Sequence, residues 1–79
     1  MRLDKYLKVS RIIKRRTVAN SACDSSRVMV NGKSAKASYD VKVGDIIEVG
    51  LGNRNLKVKV TSLSEHVKKE EADSLYTVL

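Results

Sequence analysis

Seventy-nine residues with 42% hydrophobic content suffice for one small core, and a charged fraction of 32% leaves a heavily solvated surface. The net charge of +7 is lopsided: ten Lys/Arg stand against Asp4 and Asp24 between Met1 and Lys36, then six Lys/Arg against seven acids from Ala37 to Leu79. Such a field points to a polyanionic partner, while no apolar run approaches the roughly 20 residues of a membrane span and Met1-Arg2-Leu3-Asp4 opens no signal peptide.

Leu3, Tyr6 and Leu7 are spaced i, i+3, i+4 and predict a short first helix, with Arg2, Lys5 and Lys8 off its apolar stripe. Ile12 and Ile13 follow and pin the next connection to the core. Thr17 is the expected N-cap of a second helix, its hydroxyl accepting from a free first-turn N–H. Val18, Ala19, Ala22 and Cys23 then form a narrow stripe of small apolar residues, suited to a helix lying close to another element. That helix ends near Ser25-Ser26. Cys23, the single cysteine, leaves no internal disulfide and fits a buried thiol in a reducing cytoplasm.

The period then turns strand-like. Arg27 to Val30 runs into Asn31-Gly32, a two-residue hairpin signal, with Lys33 to Lys36 as the return strand. Val43-Gly44-Asp45 reads as a turn, its Asp structural, before a strand over Ile46 to Val49. Gly50 to Asn55 reads as a loop. Leu56 to Thr61 alternates apolar and polar residues, a strand with one wet face to which Lys57 and Lys59 belong. Lys68 to Ala72 predicts one helical turn and Tyr76 to Leu79 a closing strand. The expected fold is α+β: one domain over residues 1–79, with two N-terminal helices packed on a small antiparallel sheet. Its core motif spans about residues 1–50, and C-terminal strands with the short helical turn fill 51–79.

The basic residues concentrate on part of that scheme. Arg2 and Lys5 lie on the first helix away from its apolar stripe. Arg11, Lys14, Arg15 and Arg16 fill the connection to the second helix, whose free N–H groups near Arg16 and Thr17 suit a phosphate. Lys33 and Lys36 flank the hairpin turn, and Asn31 within it joins the candidate set. With no Trp or Phe and only Tyr6, Tyr39 and Tyr76, base stacking on aromatics has few platforms, so recognition rests on phosphates and shape. Catalysis finds no support: His66 is the one histidine, and no paired carboxylates, metal-ligand spacing or phosphate-cradling glycine motif occurs. No cofactor or metal is expected.

Arg2-Leu-Asp-Lys-Tyr-Leu7, Arg15-Arg16-Thr17 opening a helix, Val28-Met-Val-Asn-Gly32 and Val43-Gly-Asp-Ile-Ile-Glu-Val49 together resemble the S4 RNA-binding domain. The likeness runs in order across about fifty residues. Because the chain is little more than that domain, it is similar to the small stand-alone S4 proteins of the heat-shock-protein-15-like group. Its ending, Lys68-Lys-Glu-Glu-Ala72 with Tyr76-Thr-Val-Leu79, resembles that group's Gram-positive RqcP (YabO) branch.

The resemblance implies a non-enzymatic cytoplasmic monomer that binds 23S ribosomal RNA of the large subunit beside a stalled peptidyl-tRNA. A partner of the RqcH/NEMF type would direct C-terminal tailing in ribosome-associated quality control. By the same resemblance Arg2 and Arg16 would contact ribosomal RNA, and Asp4 would orient a neighbouring base or side chain near the tRNA. Alternatives are a ribosome assembly or heat-shock factor with the same binding mode, and a helix-turn-helix DNA-binding regulator. Against the last, the second helix offers Asn20, Ser21 and Asp24 but no cation beyond its first turn.

Overall fold

The computed structural model describes residues 1–65 and 68–79; His66 lies outside the described residues. Among them, α1 (Leu3–Val9) and α2 (Arg16–Asp24) precede β1 (Val28–Val30), β2 (Lys33–Ser34), β3 (Ile46–Leu51) and β4 (Arg54–Val60). A 3-10 helix (Lys69–Leu75) then leads into β5 (Tyr76–Val78). The strands form one antiparallel sheet in the order β2-β1-β3-β4-β5. The α+β expectation of two helices and an antiparallel sheet therefore holds.

Alternation decides which side of the sheet is dry. Val28, Val30, Ile47, Val49, Val58 and Val60 are all buried and pair across strands, Val28 with Val49 and Val30 with Ile47 with Val58. Met29, Glu48 and Lys57 pair on the opposite face. Leu3, Tyr6 and Leu7 of α1 and Ala19, Ala22 and Cys23 of α2 join the buried valines in one core. Each fully buried Leu, Ile or Val there contributes on the order of 1.5–3 kcal/mol. Val18 departs from the expected stripe: it is 51% exposed and lines an open groove with Ile12 and Leu51.

The helix N-termini have no side-chain caps, while the C-cap hydroxyls of Ser10 and Ser25 donate to last-turn carbonyls of α1 and α2. Arg15, extended at φ −117° and ψ 132°, is the N-cap of α2 and makes no side-chain cap hydrogen bond. Thr17 lies inside the first turn and does not cap the helix, because helical backbone already begins at Arg16. At the other end Ser26 adopts φ +60°, its N–H bonds the Cys23 carbonyl (3.1 Å) and the Arg27 N–H bonds that of Ala22 (2.9 Å). That double closure stops the helix as expected near Ser25-Ser26.

Two turns differ in extent from expectation. Asn31 (φ +53°) and Gly32 (φ +84°) form the tight hairpin between Val30 and Lys33. The return strand ends at Ser34 and does not reach Lys36, because the chain leaves the sheet to lie beside the start of α1. There the N–H groups of Leu3 and Asp4 donate to the carbonyls of Tyr39 and Ala37 (2.8 and 3.2 Å), and that of Val41 to Met1 (2.8 Å). The expected loop over Gly50 to Asn55 shrinks to Gly52-Asn53, since Gly50 pairs with Asn55 and Leu51 with Arg54. Ladder bonds thus override the turn-forming residues that suggested a longer loop.

Tyr6 is wholly buried and its hydroxyl donates to the Leu75 carbonyl at 2.8 Å, tying α1 to the end of the 3-10 helix. Tyr6→Phe is expected to lower the free energy of unfolding by about 1 kcal/mol in a urea titration, with an unchanged m-value.

Candidate nucleic-acid interface

Asp4 sits in the first turn of α1 with its side chain only 3% exposed, yet it is surrounded by donors. Arg2, the residue preceding the helix, reaches it with two nitrogens, Nε to Oδ1 at 3.1 Å and Nη2 to Oδ2 at 3.3 Å. The backbone N–H of Lys5 donates to Oδ1 at 2.8 Å. From α2, Asn20 donates its amide nitrogen to Oδ2 at 3.3 Å, and Arg16 approaches the same oxygen at 3.5 Å. Burial by itself pushes the Asp4 carboxyl up. The hydrogen bonds from Arg2, Asn20 and the Lys5 N–H, with the Arg16 charge, outweigh it and hold Asp4 below the usual carboxylate range. Arg2 and Arg16 remain 51% and 49% exposed, so two guanidinium groups face solvent from one buried anchor.

The other candidates divide between surface and scaffold. Lys5 pairs with Glu65 at 3.1 Å and is drawn away from the carboxylate cluster. Arg11, Lys14 and Arg15 are exposed on the connection and make no ion pair among the described residues. Arg11 adopts φ +61° just past the end of α1, where its N–H closes on the Lys8 carbonyl at 3.0 Å. A glycine meets that conformation without strain, so an arginine there carries charge at a conformational cost. Lys36 precedes Ala37, whose carbonyl accepts from Asp4, and so lies in the segment beside α1. Lys33 and Lys36 also line a separate cleft with Tyr39.

Asn31 is occupied within the fold. Its amide nitrogen donates to Asp45 at 3.1 Å and its oxygen accepts from the Ile46 N–H at 3.0 Å, which joins two turns. Asp45 also accepts from the Tyr39 hydroxyl (2.8 Å) and the Lys42 N–H (3.0 Å), the structural role expected of it. With these two bonds holding the side chain in place, the second amide hydrogen of the exposed Asn31 remains available to a ligand from the hairpin turn. Asn20 is the converse, a member of the cluster that the charge pattern did not single out. Its spacing of one helical turn from Arg16 was the available signal.

Cys23 is buried beneath the cluster; burial, with smaller effects from Asp4 and Asp24, pushes its thiol up to about 11, which leaves it a poor nucleophile at neutral pH. Among the described residues no group of His, Cys, Asp and Glu has the arrangement to hold a metal ion, and no helix is long and apolar enough to cross a membrane.

An S4 domain family model matches residues 1–47, a span that contains the whole Asp4 cluster. Over its full length the chain is 54% identical to the RQC P-site tRNA stabilizing factor of Streptococcus pneumoniae, covering 90% of that protein. It is 53% identical to the Bacillus subtilis protein of the same name, covering 92% of it. The chain belongs to the S4-domain family, among the RQC P-site tRNA stabilizing factors. A trimeric structure of Vibrio cholerae Heat Shock Protein 15 superposes on this S4 protein with a TM-score of 0.93 at 30% identity, over 100% of this chain and 81% of that one.

Two measurements probe the electrostatics of this S4 site. Asp4 has its pKa lowered in the folded state, so its stabilising contribution is present above the ordinary carboxylate pKa of about 4 and is lost as pH falls through the folded value. Asp45 is held low in the same way, its burial outweighed by hydrogen bonds from the Lys42 N–H, Tyr39 and Asn31. Urea midpoints should therefore fall steeply below about pH 4, and Asp4→Asn should lower the neutral-pH midpoint and flatten that acid dependence. Arg11→Gly should relieve the left-handed strain and raise stability by about 0.5–1 kcal/mol, read as an increased melting temperature.

Proposed function

We propose that this S4 protein is a non-enzymatic factor that binds the large ribosomal subunit carrying a stalled peptidyl-tRNA and supports C-terminal tailing in ribosome-associated quality control. The observation that carries the reading is the pair of half-exposed guanidinium groups held by one buried carboxylate. They stand in a chain whose full-length relatives are named for stabilising a P-site tRNA.

A guanidinium fixed on a carboxylate keeps donors in a planar fork suited to phosphate, and fixing it beforehand reduces the ordering cost of binding. Arg2 and Arg16 form the centre of the contact with 23S ribosomal RNA. Arg11, Lys14 and Arg15 extend it along the α1–α2 connection, while Lys33 and Lys36 contribute from the hairpin side. Lys5, through its pair with Glu65, borders this surface, and Thr17 lies inside it. Asp4 acts through the arginines it orients. The protein works as a cytoplasmic monomer, one RNA-binding unit over residues 1–79, with a partner of the RqcH/NEMF type supplying the tailing activity. The exposed residues of α2 beyond Arg16 are uncharged or acidic up to Asp24, which gives a helix-turn-helix DNA reader no cation for guanine edges.

Arg16→Ala should abolish co-sedimentation with large subunits while leaving the thermal melt within a few degrees of the parent. Undiminished occupancy of the variant would refute this assignment of the surface. For the parent chain, about five neutralised phosphates imply on the order of a hundredfold loss of affinity or more over a fourfold rise in salt. Removing one contact should lower the logarithmic salt slope by about 1. Particles recovered on the tagged chain should carry peptidyl-tRNA; recovery of immature subunits alone would move the role to assembly.

A further inference from the structure

On the flank of α2 away from Asp4 lies an open apolar groove of about 690 Å³. Ile12, Val18 and Leu51 line it while staying partly or largely exposed, and the nearly buried Ile13 and Ala22 form its base. Thr17 and Ser21 border both this groove and the Asp4 cluster, so a ridge of α2 separates the two surfaces. A contiguous apolar patch rimmed by polar residues marks an interaction surface, where a single exposed valine would not.

The groove also carries unanswered charge. Arg27 lines one end, its N–H donating to the Ala22 carbonyl (2.9 Å) and its carbonyl accepting from the Gly50 N–H (2.8 Å). Those two bonds fix its backbone between α2 and β3. Arg54 pairs with Leu51 across the β3–β4 turn, and residues directly opposite on antiparallel strands share a face. Arg54 therefore stands on the same side of the sheet as Leu51. Both arginines are exposed, neither makes an ion pair among the described residues, and no carboxylate lines the groove.

Aliphatic walls beside free guanidinium groups fit aliphatic side chains flanked by carboxylates. RNA fits less well: a phosphate gains nothing from such walls, and no aromatic side chain lines them for a base to stack on. A second copy brings the wrong charge. Val43, Val78 and Leu79 are the most exposed apolar residues elsewhere among the described residues. Val43 follows Lys42, and Val78 and Leu79 lie against the strand that carries Lys57 and Lys59. Docking either end would press lysines toward Arg27 and Arg54. We infer that the groove receives an acidic amphipathic segment of a protein partner, its aliphatic side chains between Ile12, Val18 and Leu51 and its carboxylates on Arg27 and Arg54.

The test titrates the full chain, methyl-labelled for NMR, with a synthetic amphipathic helix of about 15 residues. Its leucines stand at i, i+3, i+4 and i+7 with glutamates beside them, and a twin peptide carries lysine for every glutamate. The glutamate peptide should shift the Ile12, Val18 and Leu51 methyl signals saturably and bind about tenfold or more tighter than its twin. Val18→Glu should weaken it by about tenfold. Arg27→Glu combined with Arg54→Glu should reverse the preference between the twins. All three side chains are exposed, and a thermal melt matching the parent checks that each variant is folded. Equal affinity for the twins, or no shift of those methyls at millimolar peptide, would overturn the inference. An RNA stem-loop that displaces the peptide would assign the groove to RNA. Dimerisation in analytical ultracentrifugation that Val18→Glu abolishes would assign it to a second copy; either result overturns the protein partner. None of these readouts involves the ribosome, so failure here leaves the RNA-binding reading to the Arg16→Ala test.

Discussion

A carboxylate taken out of water is costly unless its lone pairs and its charge are both met. Asp4 meets that demand with two nitrogens of Arg2, the N–H of Lys5, the Asn20 amide and the Arg16 charge, drawn from before α1, from α1 and from α2. The arrangement couples two things that are otherwise independent. Packing of the two helices brings Asn20 and Arg16 to Asp4, and Asp4 in turn allows two guanidinium groups to sit near one another without mutual repulsion dominating. Small residues on α2, Ala19, Ala22 and Cys23, make the close approach sterically available. The exposed face thus inherits its geometry from the core beneath it.

The same region carries features that stability alone would disfavour. Arg15 and Arg16 place cations at the start of α2, against the helix dipole. Arg11 holds a left-handed conformation that a glycine would take without strain. Such costs persist where the surrounding structure supplies enough stability and the residues serve another purpose. Here the supply comes from the dry side of the sheet and from α1, whose Leu3, Tyr6 and Leu7 are wholly buried. The proposed RNA surface and the stabilising core therefore occupy opposite sides of the same two short helices.

A second carboxylate orders the turns that adjoin the start of α1. Asp45 gathers Asn31, Tyr39 and the Lys42 N–H, and Asn31 passes the connection on to Ile46. This network locks the hairpin turn to the segment that runs beside α1. Lys33 and Lys36 are carried on that segment and its preceding strand, so their positions depend on polar contacts that do not themselves touch the proposed ligand.

Much of the fold was legible because it is local. The i, i+3, i+4 spacing of Leu3, Tyr6 and Leu7, the Asn31-Gly32 turn and the alternation from Leu56 to Thr61 each express a short-range periodicity that the structure keeps. The Gly50 to Asn55 stretch misled, because turn propensity there competes with ladder bonds from strands on either side. Thr17 misled for a related reason: a capping hydroxyl is useful only where helical backbone has not yet begun. Among site residues, the clustering of cations could be read from charge alone. The tie of Asn31 to Asp45, the pairing of Lys5 with Glu65 and the recruitment of Asn20 to Asp4 could not. The amino-acid order by itself determined the element types and the lopsided charge, since both follow from residues near one another along the chain. Only the tertiary structure decided which of those charges are anchored, which are neutralised and which polar groups stay open to a ligand, because those outcomes depend on contacts that close over 14 to 60 residues.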